Sequence, residues 1–206
     1  GLKDEFLASA RLDNLLSCFL ACEALCDSPV THTSIVVCND HEEVGSVSTS
    51  GAQGPLLRSV VDRLLGSVGA EADGFDRLIS QSAMLSIDNA HGIHPNFIDR
   101  HDDKHGPLLN KGPVIKVNAN QRYASNSHSV ALFKSLCMKV GVTPQLFAMR
   151  ADMACGSTIG PITSASLGIE TVDVGVPTFG MHSIRELAGS DDAPALAKVV
   201  AAFFAR

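Results

Sequence analysis

The sequence predicts an α/β domain: a largely parallel or mixed sheet with helices on both faces. Three observations carry this. Short apolar runs rich in β-branched residues alternate with longer amphipathic stretches. Charged and imidazole residues recur where the apolar runs end, which is where ligands gather in open α/β sheets. And 45% of the 206 residues are hydrophobic, enough for the core of one domain or most of one.

The elements follow in order. Asp13-Asn14 precedes an apolar stretch containing Leu15, Leu16, Phe19, Leu20, Ala24 and Leu25, which reads as a helix with Asp13 or Asn14 at its N-cap. Residues 34–38, Ser-Ile-Val-Val-Cys, read as a buried strand. Pro55 opens a helix over 55–68, with Leu56, Leu57, Val60, Val61, Leu64 and Leu65 as its core stripe. A short helix over 75–81 leads to a strand at 83–87. Residues 96–110 form a polar connection long enough to imply a functional excursion. Strands at 114–117, 145–149 and 171–174 alternate with helices at 129–140 and 157–167, and a last helix runs over 193–204. There is no internal repeat, linker or low-complexity tract.

Composition excludes some partners. The formal net charge is −6, with no Trp and a single Tyr, which argues against nucleic acid and anionic membranes as partners. No apolar run reaches spanning length. The six cysteines, three of them at i, i+4 and i+8 on the first helix, read as small buried hydrophobes in a reducing compartment. Together with the lack of a leader, this favours the cytoplasm. A thiolate zinc site is the sharper alternative, with spacing unlike the usual structural sites.

The most informative stretch is Asn39-Asp40-His41-Glu42-Glu43-Val44-Gly45-Ser46. Two adjacent carboxylates beyond a buried strand repel each other unless a cation sits between them. A divalent metal would let one ligate while its neighbour acts as base toward a water on the ion. A solvated acidic turn is the plainer reading. Asp13, Asp88 and His182 stand at similar strand ends or helix starts, and carboxylate plus imidazole suits zinc or a similar ion. Taken singly, each could be a cap, a turn acid or a satisfied histidine.

Seven ordered motifs are more specific: Arg11-Leu-Asp13-Asn14, Asn39-Asp-His-Glu-Glu43-Val-Gly-Ser46, Asp88-Asn-Ala-His91-x-x-His94-Pro-Asn96, Lys111-Gly-Pro-Val-Ile-Lys116-Val-Asn118, Gln121-Arg-Tyr123-Ala-Ser-Asn126, Cys155-Gly-Ser-Thr-Ile-Gly-Pro161 and Met181-His182-Ser-Ile-Arg-Glu186. Together they resemble the aspartyl aminopeptidases, two-zinc exopeptidases, over essentially the whole chain.

The resemblance implies roles position by position. Asp13 would bridge two Zn2+ ions. Glu42 would be the general base. Glu43 and His182 would ligate one ion and Asp88 the other. His91, Lys116 and Tyr123 would contact substrate, a peptide with an N-terminal Asp or Glu. His41 departs from the small residue usual before the Glu-Glu pair and is expected to stay exposed or merely adjacent.

The family also carries a zinc-binding histidine and an inserted oligomerisation domain upstream of the point matching Gly1. The resemblance therefore casts residues 1–206 as the carboxyl-terminal part of one catalytic domain, incomplete at its N-terminus, weak in metal binding alone, and belonging to a homo-oligomer. A two-metal exopeptidase of other side-chain preference, or a catalytically silent metal-binding fragment, are the alternatives.

The residues themselves leave several roles open. Lys116 would need a compensating anion if buried, for which a substrate carboxylate would serve, or it is an exposed strand lysine. Tyr123 could donate to an oxyanion or be a half-buried turn residue. His94, before a proline, reads as structural. Residues 155–161 could present backbone N–H groups to an anion or simply pack closely.

Overall fold

The computed structural model describes every residue except Val30. The first strand, β1 (Phe6–Ser9), leads into helix α1 (Leu12–Asp27). After a 3₁₀ turn at Glu42–Val44 come α2 (Leu56–Ser67), α3 (Gly74–Ser80), β2 (Ala83–Ile87) and β3 (Ala90–His91). The second half runs β4 (Val114–Val117), α4 (Ser127–Lys139), β5 (Gln145–Ala148), α5 (Ile159–Leu167), β6 (Glu170–Gly175), β7 (Pro177–Phe179), β8 (Glu186–Gly189) and α6 (Asp192–Phe204).

The α/β class holds, but the strands divide between two mixed sheets of four. One has the order β2-β6-β4-β5 and the other β1-β8-β7-β3. The strands absent from the expectation, β1, β3, β7 and β8, make up the second sheet. They are two to four residues long, too short to show a period in sequence.

Alternation along the first sheet decides where the site lies. Val172, Val174 and Ile115 pack with Phe133 and Leu136 of α4 and with Leu196 and Val199 of α6 in one buried cluster. The residues between them, Asp173, Val114 and Lys116, are also buried and face the opposite side, where Tyr123, Phe147 and Ala90 join Val114 in a second cluster. Helix α5 covers this side beside β6. There a β-carbon on Gly160 would stand 2.3 Å from the Asp173 carboxylate, so only glycine lets the helix approach.

Three expectations are corrected. Residues 34–38 form no strand, and Ile35 and Cys38 are exposed; the run has β propensity but pairs with no strand among the described residues. Neither Asp13 nor Asn14 caps α1: the helix starts at Leu12 with no side-chain cap bond, and the Asn14 amide donates to the Ile87 carbonyl at 2.8 Å. Nor are the cysteines all buried. Cys137 is, but Cys22, Cys26 and Cys38 are exposed. Helix α1 turns Leu20 and Ala24 to the core against α6, which leaves its opposite stripe, Leu15, Phe19, Cys22 and Cys26, outward. No described helix is long and apolar enough to cross a membrane.

Candidate active site

The Glu-Glu pair sits in the 3₁₀ turn at Glu42–Val44, between His41 at φ 60° and Gly45 at φ 100°. A left-handed residue reverses the chain sharply and costs about 1 kcal/mol when it is not glycine. Arg11 (φ 60°), just before Asp13, and His182 (φ 68°) adopt the same conformation. The three non-glycine positions therefore stand at His182 or within two residues of Asp13 and Glu42, the side chains that deliver carboxylate or imidazole. The His41 ring itself is exposed and bonds Ser48 Oγ at 2.9 Å.

Asp13, Glu43 and His182 converge. His182 Nε2 lies 2.9 Å from Glu43 Oε1 and 3.2 Å from Asp13 Oδ2. One donor atom from each of the three falls within 4.8 Å of the others, a spacing that fits one metal ion. The Asp13 carboxyl also meets that of Asp88. Burial, then the neighbouring charges of Asp88, Glu43 and Glu186, push Asp13 up to about 8. Such a crowd of carboxylates gains most from a shared dication.

Glu42 stands beside this group. Burial and the negative charges of Asp88 and Glu43 raise its carboxyl above the usual range, with Lys116 and His182 opposing. Lys116 is 2% exposed, so it is not a surface strand lysine. Its ammonium donates to Asp88 Oδ2 at 2.9 Å and to the Asn89 carbonyl at 3.2 Å, and stands 5.3 Å from the centre of the Tyr123 ring. Tyr123 is buried, packs edge-on to Phe147 and meets the Cys155 thiol with its hydroxyl. Burial drives its pKa upward, so it stays a neutral donor. His91 keeps an exposed edge. The protein around its ring, then the charges of Lys116, His101 and His182, hold it below a free imidazole. His94 accepts the Asn96 amide at 3.1 Å and caps the 3₁₀ segment Pro95–Arg100.

All eight predicted site residues thus border one region. Two others were missed. Glu186 is 1% exposed; its Oε2 accepts the Asp13 amide and its Oε1 the His182 amide, each at 2.7 Å. Its signal was a charged residue opening an apolar run, Glu186-Leu-Ala-Gly189. Asp173, wholly buried, interrupts the apolar Thr171-Val-Asp-Val-Gly175 in the same manner.

The sequence matches the family described as Aminopeptidase I zinc metalloprotease (M18) over residues 1–204. The chain belongs to this family. "Probable M18 family aminopeptidase 2" of Pseudomonas savastanoi pv. phaseolicola is 58% identical over 205 residues, covering 100% of this chain and 47% of that protein. The chain therefore spans about half the length of the curated M18 relatives it matches. Among solved structures, Ape4 in its complex with Nbr1 superposes with a TM-score of 0.94 at 42% identity, over 99% of this chain and 40% of that one. The S. cerevisiae mApe1 dodecamer gives 0.85 at 31% identity, over 99% and 47%. Zinc is the metal that the M18 name implies, and the carboxylate–imidazole donor set of Asp13, Glu43 and His182 suits it.

Proposed function

We propose that this chain supplies most of the active site of a zinc-dependent aminopeptidase that removes N-terminal Asp or Glu from peptides. The observation that supports it most is the convergence of Asp13, Glu43 and His182 within 4.8 Å, with Asp88 against Asp13 and Glu42 alongside. Asp13, Glu43 and His182 would hold one ion. Asp13 and Asp88 would hold a second, its shell completed by a ligand from outside these 206 residues. Bound zinc polarises a carbonyl and acidifies water.

The chain's own residues do the rest. Glu42, a carboxylate whose basicity is raised by burial, takes the proton of the attacking water and passes it to the leaving amine. Tyr123 and His91 flank the substrate with neutral donors. Lys116 has three N–H donors, of which two are engaged by Asp88 and Asn89. The third is left for a substrate carboxylate, which gives the acidic preference its basis.

The dodecamer formed by S. cerevisiae mApe1 supports a homo-oligomeric whole protein. Turnover of aspartyl, glutamyl, leucyl and lysyl amides by the zinc-loaded whole protein tests the reading. Faster cleavage of the acidic pair supports it, and equal or faster cleavage of the others refutes the acidic preference.

A further inference from the structure

Asp173 faces Ser86 across the parallel β2–β6 pairing, and none of it reaches solvent. Its carboxylate takes hydrogen bonds from three separate segments. Oδ1 accepts the Ser86 hydroxyl at 2.6 Å and the Thr158 hydroxyl at 2.7 Å. Oδ2 accepts the Ala124 amide at 2.5 Å. The Ser125 hydroxyl in turn accepts the Asp173 amide at 2.9 Å. The first turn of α5 presses Gly160 against the same carboxylate, where a helix N-terminus favours negative charge.

These segments border the substrate side of the site. Ser86, on β2, precedes Asp88, just beyond the strand, by two residues. Ala124 directly follows Tyr123. Thr158 lies three residues beyond Cys155, whose thiol meets the Tyr123 hydroxyl. The Tyr123 ring in turn stands beside the Lys116 ammonium.

We propose that Asp173 is a positioning residue for substrate selection, fixing Tyr123, and through it the Lys116 ammonium, by clamping Ala124 and Thr158 to the β2–β6 pair. It touches no substrate itself. The inference rests on the aminopeptidase reading for its kinetic consequence but not for its geometry.

The test uses Thr158→Val, which keeps the shape and loses the hydroxyl, beside Thr158→Ser, which does the reverse, in the zinc-loaded whole protein. Thr158→Val is expected to raise KM for an aspartyl substrate up to about tenfold, the worth of the Lys116 hydrogen bond to the substrate carboxylate that a loosened Tyr123 misplaces. Its kcat and zinc per chain should stay near wild type while the unfolding temperature falls by a few degrees for the lost buried hydrogen bond, and Thr158→Ser should behave as wild type. Hydrogen exchange across residues 121–126 reads the clamp without turnover: faster in Thr158→Val, unchanged in Thr158→Ser.

An unchanged KM in Thr158→Val, equal damage in both variants, or loss of zinc overturns the inference. If Thr158→Val does not fold, Ser86→Ala is expected to give the same KM-only rise and faster exchange, and neither change appearing overturns it. A wild type that cleaves no aminoacyl amide refutes the aminopeptidase reading, while the exchange result still decides the clamp.

Discussion

Glu186 Oε2 accepts the backbone N–H of Asp13 at 2.7 Å across 173 positions of the chain. Its other oxygen holds the amide of His182 at the same distance. One buried carboxylate therefore fixes the relative placement of two side chains that would share an ion. A Glu186→Gln amide can accept only one of the two N–H groups, and its own NH2 opposes the other. Zinc affinity is expected to fall about ten- to a hundredfold, as when such supporting partners are removed. A competition titration against a chelator measures this, and unchanged affinity contradicts the role.

Glu42 borders the acidic group without sharing the three-residue cluster. Glu42→Gln keeps size and removes the base. It is expected to lower kcat by about 10²- to 10⁴-fold while metal analysis shows zinc per chain unchanged. Loss of zinc in this variant would make Glu42 a ligand instead.

The elevated Asp13 carboxyl gives a pH dependence. Unfolded, its pKa is about 4; folded and without metal it is about 8, from burial and then Asp88, Glu43 and Glu186. Between these values the folded chain holds a proton that the unfolded chain lacks. The stabilisation is full below the lower value and is lost as pH rises through the upper one. Metal binding must displace that proton. Thermal unfolding is therefore expected to show ion-free stability falling between about pH 4 and about 8, and the gain from added zinc growing over the same interval. A zinc effect that shrinks with pH contradicts this.

Much of this was legible in the sequence. The strands at 83–87 and 114–117 and the final helix declare themselves by apolar runs and period, and the chemistry-bearing residues stand just beyond them. The second sheet was not legible, because strands such as Ala90–His91 exist only through pairing with distant partners. Residues 34–38 carried the opposite error, a strand composition with no partner among the described residues. Lys116 and Asp173 show a further limit. A polar residue inside an apolar strand signals burial with a mate, but the mate, Asp88 in one case and Ser86, Thr158 and Ala124 in the other, appears only in three dimensions.

Lys116→Met keeps the apolar stem and removes the ammonium. If the third N–H serves the substrate carboxylate, kcat/KM for aspartyl and glutamyl amides is expected to fall about 10- to 100-fold further than for a leucyl amide. A uniform fall across the panel would place Lys116 in support of Asp88 alone.

Carboxylates and an imidazole distant in sequence would together hold metal in this protein. Anomalous diffraction at the zinc absorption edge from crystals of the whole protein grown with zinc tests it most directly. One peak bounded by Asp13, Glu43 and His182 and a second between Asp13 and Asp88 are expected. Peaks elsewhere, or none near these side chains in zinc-loaded crystals, would contradict it.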